Sequence, residues 1–316
     1  RNGQVTGGGS SVNVDLAFPP TLPFIESRMQ AWRSRLAWPP SPESIQTAYT
    51  WVETALGTRP VEAHEINPNN NILWQGAQAL GLQPSLYRLN TRPPGYPGVD
   101  KRSAVETFIL PAIAQGLVLL PDSEVDSILV KNDKVEGVEI VARQPWTQPG
   151  IWRDPHQTGW SPGQRVQLKA SRVYLCAGSL GSGLILQKSK LGGSWVGRGV
   201  ILHPSFPLIG LFDRPIHADR GTPSSVYLAD HALSQNLLYE SMSGSPEYVS
   251  LLLPAVEPQL SELRHNFDYL GGFGVMLVDS VRWQNRVEPG PKIYYDLDPQ
   301  DRSRLAQGVA NAARMM

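Results

Sequence analysis

Two clusters of small residues, far apart in the chain, restrict its possible folds most strongly. Residues 7–13 read Gly-Gly-Gly-Ser-Ser-Val-Asn, and residues 177–183 read Ala-Gly-Ser-Leu-Gly-Ser-Gly directly after the apolar run 172–176. Consecutive glycines permit positive φ and bring backbone amides close to a ligand, and small residues after a strand let a cofactor approach a doubly wound sheet. Alone, the first cluster also fits a flexible loop, and the second fits an ordinary strand-to-helix turn.

The charge and cysteine content of the chain exclude several kinds of function. The formal net charge is +0, from 28 basic and 28 acidic residues without a long basic block, so nucleic acid is not expected as a partner. Cys176 is the only cysteine, which rules out an internal disulfide and a cysteine-based zinc site. Because no histidines or cysteines have the spacing of metal ligands, no metal is expected.

The apolar runs of the sequence are short, and both of its ends are abrupt. No apolar run approaches the roughly 18 to 20 residues that a membrane-spanning helix needs, so membrane insertion is not expected. A cytoplasmic location is favoured without being fixed by the sequence. The chain starts at Arg1 without a strand before the first glycine cluster, and its last helical segment lacks a stop signal. We therefore expect the chain to be truncated at both ends.

Periodic apolar residues and capping signals predict several helices. Ser103 and Glu106 have the spacing of a capping box, and Gly81 and Gly116 stand where a helix ends on a left-handed residue. The predicted helices are residues 41–56, 71–80, 105–114 and 301–316.

Short apolar or alternating runs predict strands on both sides of the second cluster. Residues 125–130 and 135–141, joined by the polar turn 131–134, predict a β-hairpin, and the strands after Phe206 predict an antiparallel sheet. The other predicted strands are residues 117–120, 166–168, 172–176, 208–212, 225–228, 248–253, 272–278 and 292–295.

With their flanks, the two clusters resemble the two signature regions of the glucose-methanol-choline (GMC) oxidoreductase family. The first signature runs from Gly3 to Asn13, with Ala17 and Pro20 following at the family's spacing. The second runs from residue 178 to residue 192 without a gap, and residues 196–204 resemble the family's Gly-Arg stretch that ends in histidine. The resemblance extends over essentially the whole chain.

The sequence also departs from the family pattern. In the second signature, Gly183 replaces a usual proline or serine, and Lys190 replaces a usual glycine. The family's Gly-x-Gly-x-x-Gly turn has no counterpart here, and its catalytic histidine, with a second histidine or asparagine, is expected beyond Met316. The chain is therefore expected to be an internal portion of a family member, and no catalytic residue is assigned.

The resemblance implies an α/β fold. A Rossmann-like FAD/NAD(P)-binding domain would be interleaved along the chain with an α+β substrate domain that contains a large antiparallel sheet. Residues 1–30 and 101–206 would belong to the FAD-binding domain, and residues 31–100 and 207–316 to the substrate domain.

The resemblance further implies that the cofactor is FAD, with the first signature beside the flavin and Val125 and the second signature nearer the ADP half. Some choline-oxidising members carry, at the position of Val12, a histidine that is covalently joined to the flavin. Valine has no nucleophilic atom, so FAD is expected to be held non-covalently. The expected cofactor-binding residues are Gly7, Gly8, Gly9, Ser10, Ser11, Asn13, Val125, Ala177 and Gly178.

The expected activity is oxidation of a small-molecule alcohol to an aldehyde or ketone by hydride transfer to flavin N5. One alternative is a non-oxidative role of the flavin, as in the hydroxynitrile lyases that resemble this family. Another is an inert fragment or binding module. The sequence leaves open the substrate, the electron acceptor, the choice between oxidase and dehydrogenase, and the oligomeric state.

The remaining residues with possible chemistry favour structural roles. His203 lies in the stretch that resembles the family, where it is expected to be structural, and the other five histidines are expected on the surface. Cys176 is expected in the core because it ends an apolar run. Trp51 and Trp74 stand at helical positions and are expected to be core residues as well.

Overall fold

The structure is a computed structural model that describes residues 5–18, 22–91, 101–143, 161–231, 234–252 and 257–316. Its α-helices are α1 (Gly9–Val12), α2 (Pro23–Arg33), α3 (Pro42–Leu56), α4 (Pro68–Ala79), α5 (Leu110–Ala114), α6 (Gly178–Lys188), α7 (Pro246–Leu252), α8 (Gln259–His265) and α9 (Pro299–Met315). A π-helical turn, Val105–Ile109, leads into α5. None of the helices in these ranges has both the length and the apolar character needed to cross a bilayer.

The strands are mostly short and pair antiparallel. They are β1 (Leu16–Ala17), β2 (Arg59–Pro60), β3 (Ser85–Leu86), β4 (Arg88–Leu89), β5 (Ser123–Lys131), β6 (Lys134–Ala142), β7 (Arg165–Lys169), β8 (Ser205–Leu211), β9 (Val226–Leu228), β10 (Leu237–Ser241), β11 (Leu270–Leu277), β12 (Arg286–Glu288) and β13 (Lys292–Tyr294).

The chain forms two compact units, each built from parts that are distant in the sequence. The first unit comprises Arg1–Leu110, His203–Asp279 and Pro299–Met316, and the second comprises Pro111–Leu202 and Ser280–Asp298. The predicted division into a FAD-binding and a substrate domain concerns function and stays a prediction.

The core of the first unit is a five-stranded sheet in the order β3-β9-β10-β11-β8. Helices α4 and α9 cover one face of this sheet. A Cβ atom on Gly308 of α9 would lie 2.9 Å from Val275 and 3.0 Å from Leu237, so this helix approaches the strands closely. A Cβ atom on Gly76 of α4 would lie 1.8 Å from the carbonyl oxygen of Met315, which only glycine permits.

An aromatic cluster packs against the opposite face of the same sheet. Tyr227 and Leu238 are buried there with Tyr87, which follows β3. The ring of Phe18, one residue after β1, lies 5.1 Å from the rings of both tyrosines. The segment that leaves the first glycine cluster is thereby fixed to the central sheet.

The second unit is built around the sheet β5-β6-β7, against which α6 packs. Asn132 and Asp133 connect β5 to β6 with φ values of 50° and 58°, as a type I′ hairpin turn requires. The predicted hairpin is confirmed, and the predicted strand 166–168 is found as β7.

The helix predictions with clear capping signals are confirmed. In α3, Ser41 accepts a hydrogen bond from the amide of Ser44 at 3.1 Å. Helix α4 begins earlier than predicted because Asn67 caps it. At the predicted capping box, the amide of Ser103 donates to Glu106 at 2.8 Å.

Three strand predictions are wrong. Residues 117–120 and 172–176 form no strand and pair with no strand that the structure describes, and Val118 and Tyr174 are 55% and 81% exposed. Apolar character alone does not make a strand, because a strand needs a neighbour for its backbone hydrogen bonds. Residues 248–253 were predicted as a strand, but helix α7 occupies most of this range. The central strand β10 was not predicted.

Candidate cofactor-binding site

The first glycine cluster forms a turn that is closed by its own atoms. Gly7 and Gly8 have φ values of 86° and 58°, which residues with a side chain rarely adopt. The hydroxyl of Ser10 donates to the carbonyl of Gly7 at 2.6 Å, and the hydroxyl of Ser11 donates to that of Thr6 at 2.8 Å. Both serine side chains therefore fix the shape of the turn. Gly3 and Pro20 of the first signature lie outside the described residues.

The start of the π-helical turn supports the glycine turn from one side. The amide of Ala104 donates to Oγ of Ser10 at 2.9 Å. A Cβ atom on Gly7 would lie 2.2 Å from Oγ of Ser11 and 2.7 Å from Cγ2 of Val105, so a side chain cannot be accommodated there. Single π-helical turns occur frequently at functional sites. No sequence signal predicted this one.

The other side of the glycine turn is open. A Cβ atom on Gly8 or Gly9 would meet no atom within 4 Å, and Gly9 and Asn13 are exposed. Val12 is 58% exposed. A bare backbone beside open space is the arrangement that lets a flat ligand approach peptide groups closely. The turn therefore leaves its backbone accessible to a ligand on this side.

A buried ion pair fixes the end of the turn, and sequence reasoning missed it. Nζ of Lys101 lies 3.2 Å from Oδ1 of Asp15, with side chains 16% and 10% exposed. Lys101 also donates to the carbonyl of Asn13, and the amide of Asn90 donates to the carbonyl of Asp15 at 3.1 Å. Burial raises the pKa of Asp15, and Lys101 opposes this rise. Residues so far apart in sequence give no local signal of such pairing.

The second cluster forms the start of α6 in the second unit. Ala177 precedes the helix, and Gly178 has a φ of 72° with open space around its Cβ position. Gly183 is buried against Gly197, whose Cα would lie 3.4 Å from a Cβ on Gly183. The glycine that replaces the family's proline or serine thus serves close packing. Lys190 has a φ of 58°, a conformation in which the family's glycine is the favoured residue.

Val125 lies beside the last turn of the same helix. It is on β5, next to Asp126, whose carboxylate bonds Lys188 and Arg165 and whose pKa these two cations lower. Ala177 and Gly178 stand at the other end of α6, about 15 Å away at 1.5 Å per residue. The structure therefore brings the six expected residues of the first turn together. Of the other three, Ala177 and Gly178 lie at the start of α6, and Val125 lies on β5 beside the end of that helix.

Two structural expectations for side chains are wrong. Cys176 is exposed because the run that precedes it forms no buried strand. Trp51 is 63% exposed, and its ring stacks on Phe108 at 5.3 Å rather than entering the core. His203 has a φ of 46°, and its amide donates to Asp279 at 3.0 Å, which fits the expected structural role.

A pocket opens at the end of the five-stranded sheet where β11 begins. It is partly enclosed by protein and partly open to solvent. Strand β8 contributes Ile209, the segment after β10 contributes Met242, and α7 contributes Tyr248 and Val249. This pocket could not be predicted because its walls come from segments that are far apart in the sequence.

A partly buried acid, Glu240, lies on β10, two residues before Met242. Oε1 of Glu240 accepts a hydrogen bond from the hydroxyl of Tyr87 at 2.7 Å. Burial raises the pKa of Glu240, and the hydrogen bond from Tyr87 partly opposes this. Burial and the nearby Glu240 hold the pKa of Tyr87 well above its usual value. This pair was also missed from the sequence.

Replacing Glu240 by glutamine is expected to remove a pH dependence of stability. The raised pKa means that the folded protein binds the Glu240 proton more tightly than the unfolded chain does. This contribution is fully present below the unfolded pKa of about 4.5 and is lost as pH rises through the folded pKa. Urea unfolding should show wild type losing stability relative to Glu240→Gln as pH rises above 4.5. Parallel pH profiles would contradict the assignment.

Three possible metal ligands meet in the first unit, although no metal was expected. Ligand atoms of His217, Asp219 and Asp268 all lie within 4.8 Å of one another. His217 and Asp268 already form an ion pair at 3.3 Å when the histidine is protonated. Asp219 and Asp268 are exposed, as acidic groups on a protein surface commonly are without a metal.

The chain is similar to known proteins of one family. The family profile described as GMC oxidoreductase matches residues 1–205. Two uncharacterized GMC-type oxidoreductases of Mycobacterium tuberculosis are each 25% identical over 99% of this chain and 48% of their own length. An uncharacterized GMC-type oxidoreductase of Sinorhizobium fredii is 23% identical over 96% of this chain and 58% of its own. The chain thus spans about half the length of the curated relatives it matches.

Solved structures show the same mixed α/β fold. Pyridoxine 4-oxidase from Mesorbium loti has a TM-score of 0.66 at 16% identity, with 99% of this chain and 65% of that one covered. A FAD-dependent oxidoreductase from Chaetomium thermophilum has a TM-score of 0.56 at 15% identity, with 99% and 69% covered. At these identities the likeness concerns the fold alone.

Proposed function

The chain belongs to the GMC oxidoreductase family, and from this premise we propose that it is part of a FAD-dependent oxidoreductase that converts an alcohol to an aldehyde or ketone. The observation that carries the proposal is the open glycine turn. Its peptide groups at Gly8 and Gly9 face free space, while the side chains around it hold the turn in one shape. That combination suits a flat cofactor that must be positioned without a covalent bond.

The flavin would lie on the open side of the glycine turn, with Ser10 and the pair of Lys101 and Asp15 keeping the turn rigid. From the family resemblance, we assign the contacts of the ADP half to Val125, Ala177 and Gly178. The proposed FAD-binding domain and the proposed substrate domain would be interleaved along the chain.

The chemistry requires a hydride acceptor and a protected pocket. When bound, FAD would supply the acceptor at flavin N5. The residues of this chain would position the flavin at the glycine turn, and the five-stranded sheet would form part of the substrate pocket. Because Val12 has no nucleophilic atom, it would contact the cofactor without a covalent link.

A visible absorption spectrum of the protein that carries this sequence tests the proposal. We expect flavin bands that bleach when an oxidisable alcohol is added without oxygen, and we expect acid precipitation to release all flavin into the supernatant. Bands that stay oxidised while a cyanohydrin is cleaved would favour the hydroxynitrile-lyase alternative. A purified protein that neither contains nor takes up flavin would contradict the proposal, and pelleted flavin would contradict non-covalent binding.

A further inference from the structure

The pocket at the start of β11 has mostly apolar walls. Ile209, Met242, Phe267 and Leu270 are among the apolar side chains that line it. No charged side chain belongs to the part of its lining that the structure describes. All lining residues fall within the two segments that the sequence assigns to the substrate domain.

The polar side chains in the wall are committed to other partners. Nδ2 of Asn69 donates to Oγ of Ser243 at 3.1 Å and to the carbonyl of Met242, and its Oδ1 accepts from the amide of Gly272 at 2.7 Å. The hydroxyl of Ser243 donates to Oδ1 of Asn70 at 3.1 Å. These groups serve the fold, so a ligand in the pocket would find few free hydrogen-bond partners.

Tyr248 is the exception, and it stands where the pocket meets solvent. Its side chain lines the pocket and is 47% exposed. A tyrosine offers an apolar ring and one hydroxyl that donates and accepts. The pocket therefore has an apolar interior and a single polar group near its opening, which suits a ligand with an apolar body.

We propose that this pocket binds the non-reacting part of the alcohol, and that the substrate is an uncharged alcohol with an apolar ring or a branched alkyl body. This inference rests on the proposed oxidoreductase function. A polyol would leave several hydroxyl groups without hydrogen-bond partners, which would weaken its binding. A carboxylate or ammonium group would be excluded more strongly, since no opposite charge is present in the described lining.

Three alcohols of matched chemistry test the substrate class on the FAD-loaded protein. Benzyl alcohol carries an apolar ring, 4-(hydroxymethyl)benzoate adds a charge to the same ring, and glycerol replaces the ring with hydroxyl groups. Stopped-flow reduction of the flavin should give, for benzyl alcohol, a ratio of limiting reduction rate to dissociation constant at least tenfold above those of the other two. Equal or higher values for the charged or polyol substrates would overturn the inference while leaving the oxidoreductase function intact.

A matched pair of variants tests the pocket itself. Ile209→Trp fills the pocket, whereas Leu211→Trp places the same ring on the same strand at a residue that is 63% exposed and outside the pocket. We expect Ile209→Trp to raise the KM for benzyl alcohol at least tenfold, with unchanged FAD content, and Leu211→Trp to leave it unchanged. An unchanged KM in folded, FAD-loaded Ile209→Trp would overturn the assignment.

A third variant covers the case in which the larger ring prevents folding. Val249→Ala removes two methyl groups from the wall contributed by α7, and we expect it to shift preference from benzyl alcohol towards 2-naphthalenemethanol. Unchanged preference would count against the pocket. A protein whose flavin no alcohol reduces would refute the proposed function; in that case, thermal stabilisation by toluene that Ile209→Trp abolishes would still locate an apolar ligand in the pocket.

Discussion

Replacing Asn69 by alanine is expected to lower the free energy of unfolding by about 3 kcal/mol. The side chain of Asn69 is completely buried. It bonds the amide of Gly272, the carbonyl of Met242 and the hydroxyl of Ser243. The variant leaves the first two of these groups buried without a partner, and each unpaired group costs about 1 to 3 kcal/mol. Urea unfolding of wild type and variant measures the difference.

Asn71 provides the matched control in the same helical turn. It is only half-buried, and it takes no part in the hydrogen bonds that Asn69 makes to the sheet. We expect Asn71→Ala to change the unfolding free energy by less than about 0.5 kcal/mol. If Asn69→Ala were as stable as Asn71→Ala, the hydrogen bonds from α4 to the strands would not stabilise the fold as described.

The same asparagines show what a sequence can and cannot predict about this fold. Asn67 caps α4 through a contact within four residues, which is a local pattern, although the predicted helix began only at residue 71. The partners of Asn69 and Asn70 lie more than 150 residues away, on segments around Thr222 and Met242. No local sequence pattern indicates hydrogen bonds between residues so far apart. The contacts of Asn69 and Asn70 with the five-stranded sheet were therefore not predicted.

The predicted secondary structure was wrong where it depends on adjacent strands or on flanking residues rather than on apolar composition. The apolar run 172–176 has the composition of a strand, yet no described strand lies beside it to complete its hydrogen bonds. Residues 248–253 have the same composition but follow Pro246, which is favourable at the start of a helix. The strand β10 lies at the centre of its sheet with both faces covered, so it lacks the polar alternation of a half-exposed strand.

The candidate site divides in the same way. The glycine turn was predictable because glycine itself tolerates the positive φ values found at Gly7 and Gly8. The support of that turn by Lys101 and the π-helical turn depends on contacts between distant segments, and only the structure revealed it. The pocket and the hydrogen bond between Glu240 and Tyr87 also depend on contacts between distant segments, so they were not predicted.

Replacing Gly9 by valine is expected to weaken FAD binding at least tenfold while leaving the fold intact. Gly9 does not have a positive φ, and a Cβ atom there meets nothing within 4 Å, so the protein alone accommodates the larger side chain. A flavin that packs on this open backbone would collide with the added methyl groups. A tenfold loss corresponds to about 1.4 kcal/mol. Titration of flavin-free protein, followed by the quenching of FAD fluorescence, measures the affinity.

Gly7→Val separates this effect from damage to the turn. Its Cβ would lie 2.2 Å from Ser11 and 2.7 Å from Val105, at a φ of 86°, so it should lower both the melting temperature and FAD binding. Gly9→Val should lower only FAD binding, because the space it fills belongs to the ligand. If Gly9→Val bound FAD like wild type, the flavin would not lie on the open side of the turn. The assignment of Gly8, Gly9 and Asn13 would then have to be abandoned, even if the protein contained FAD.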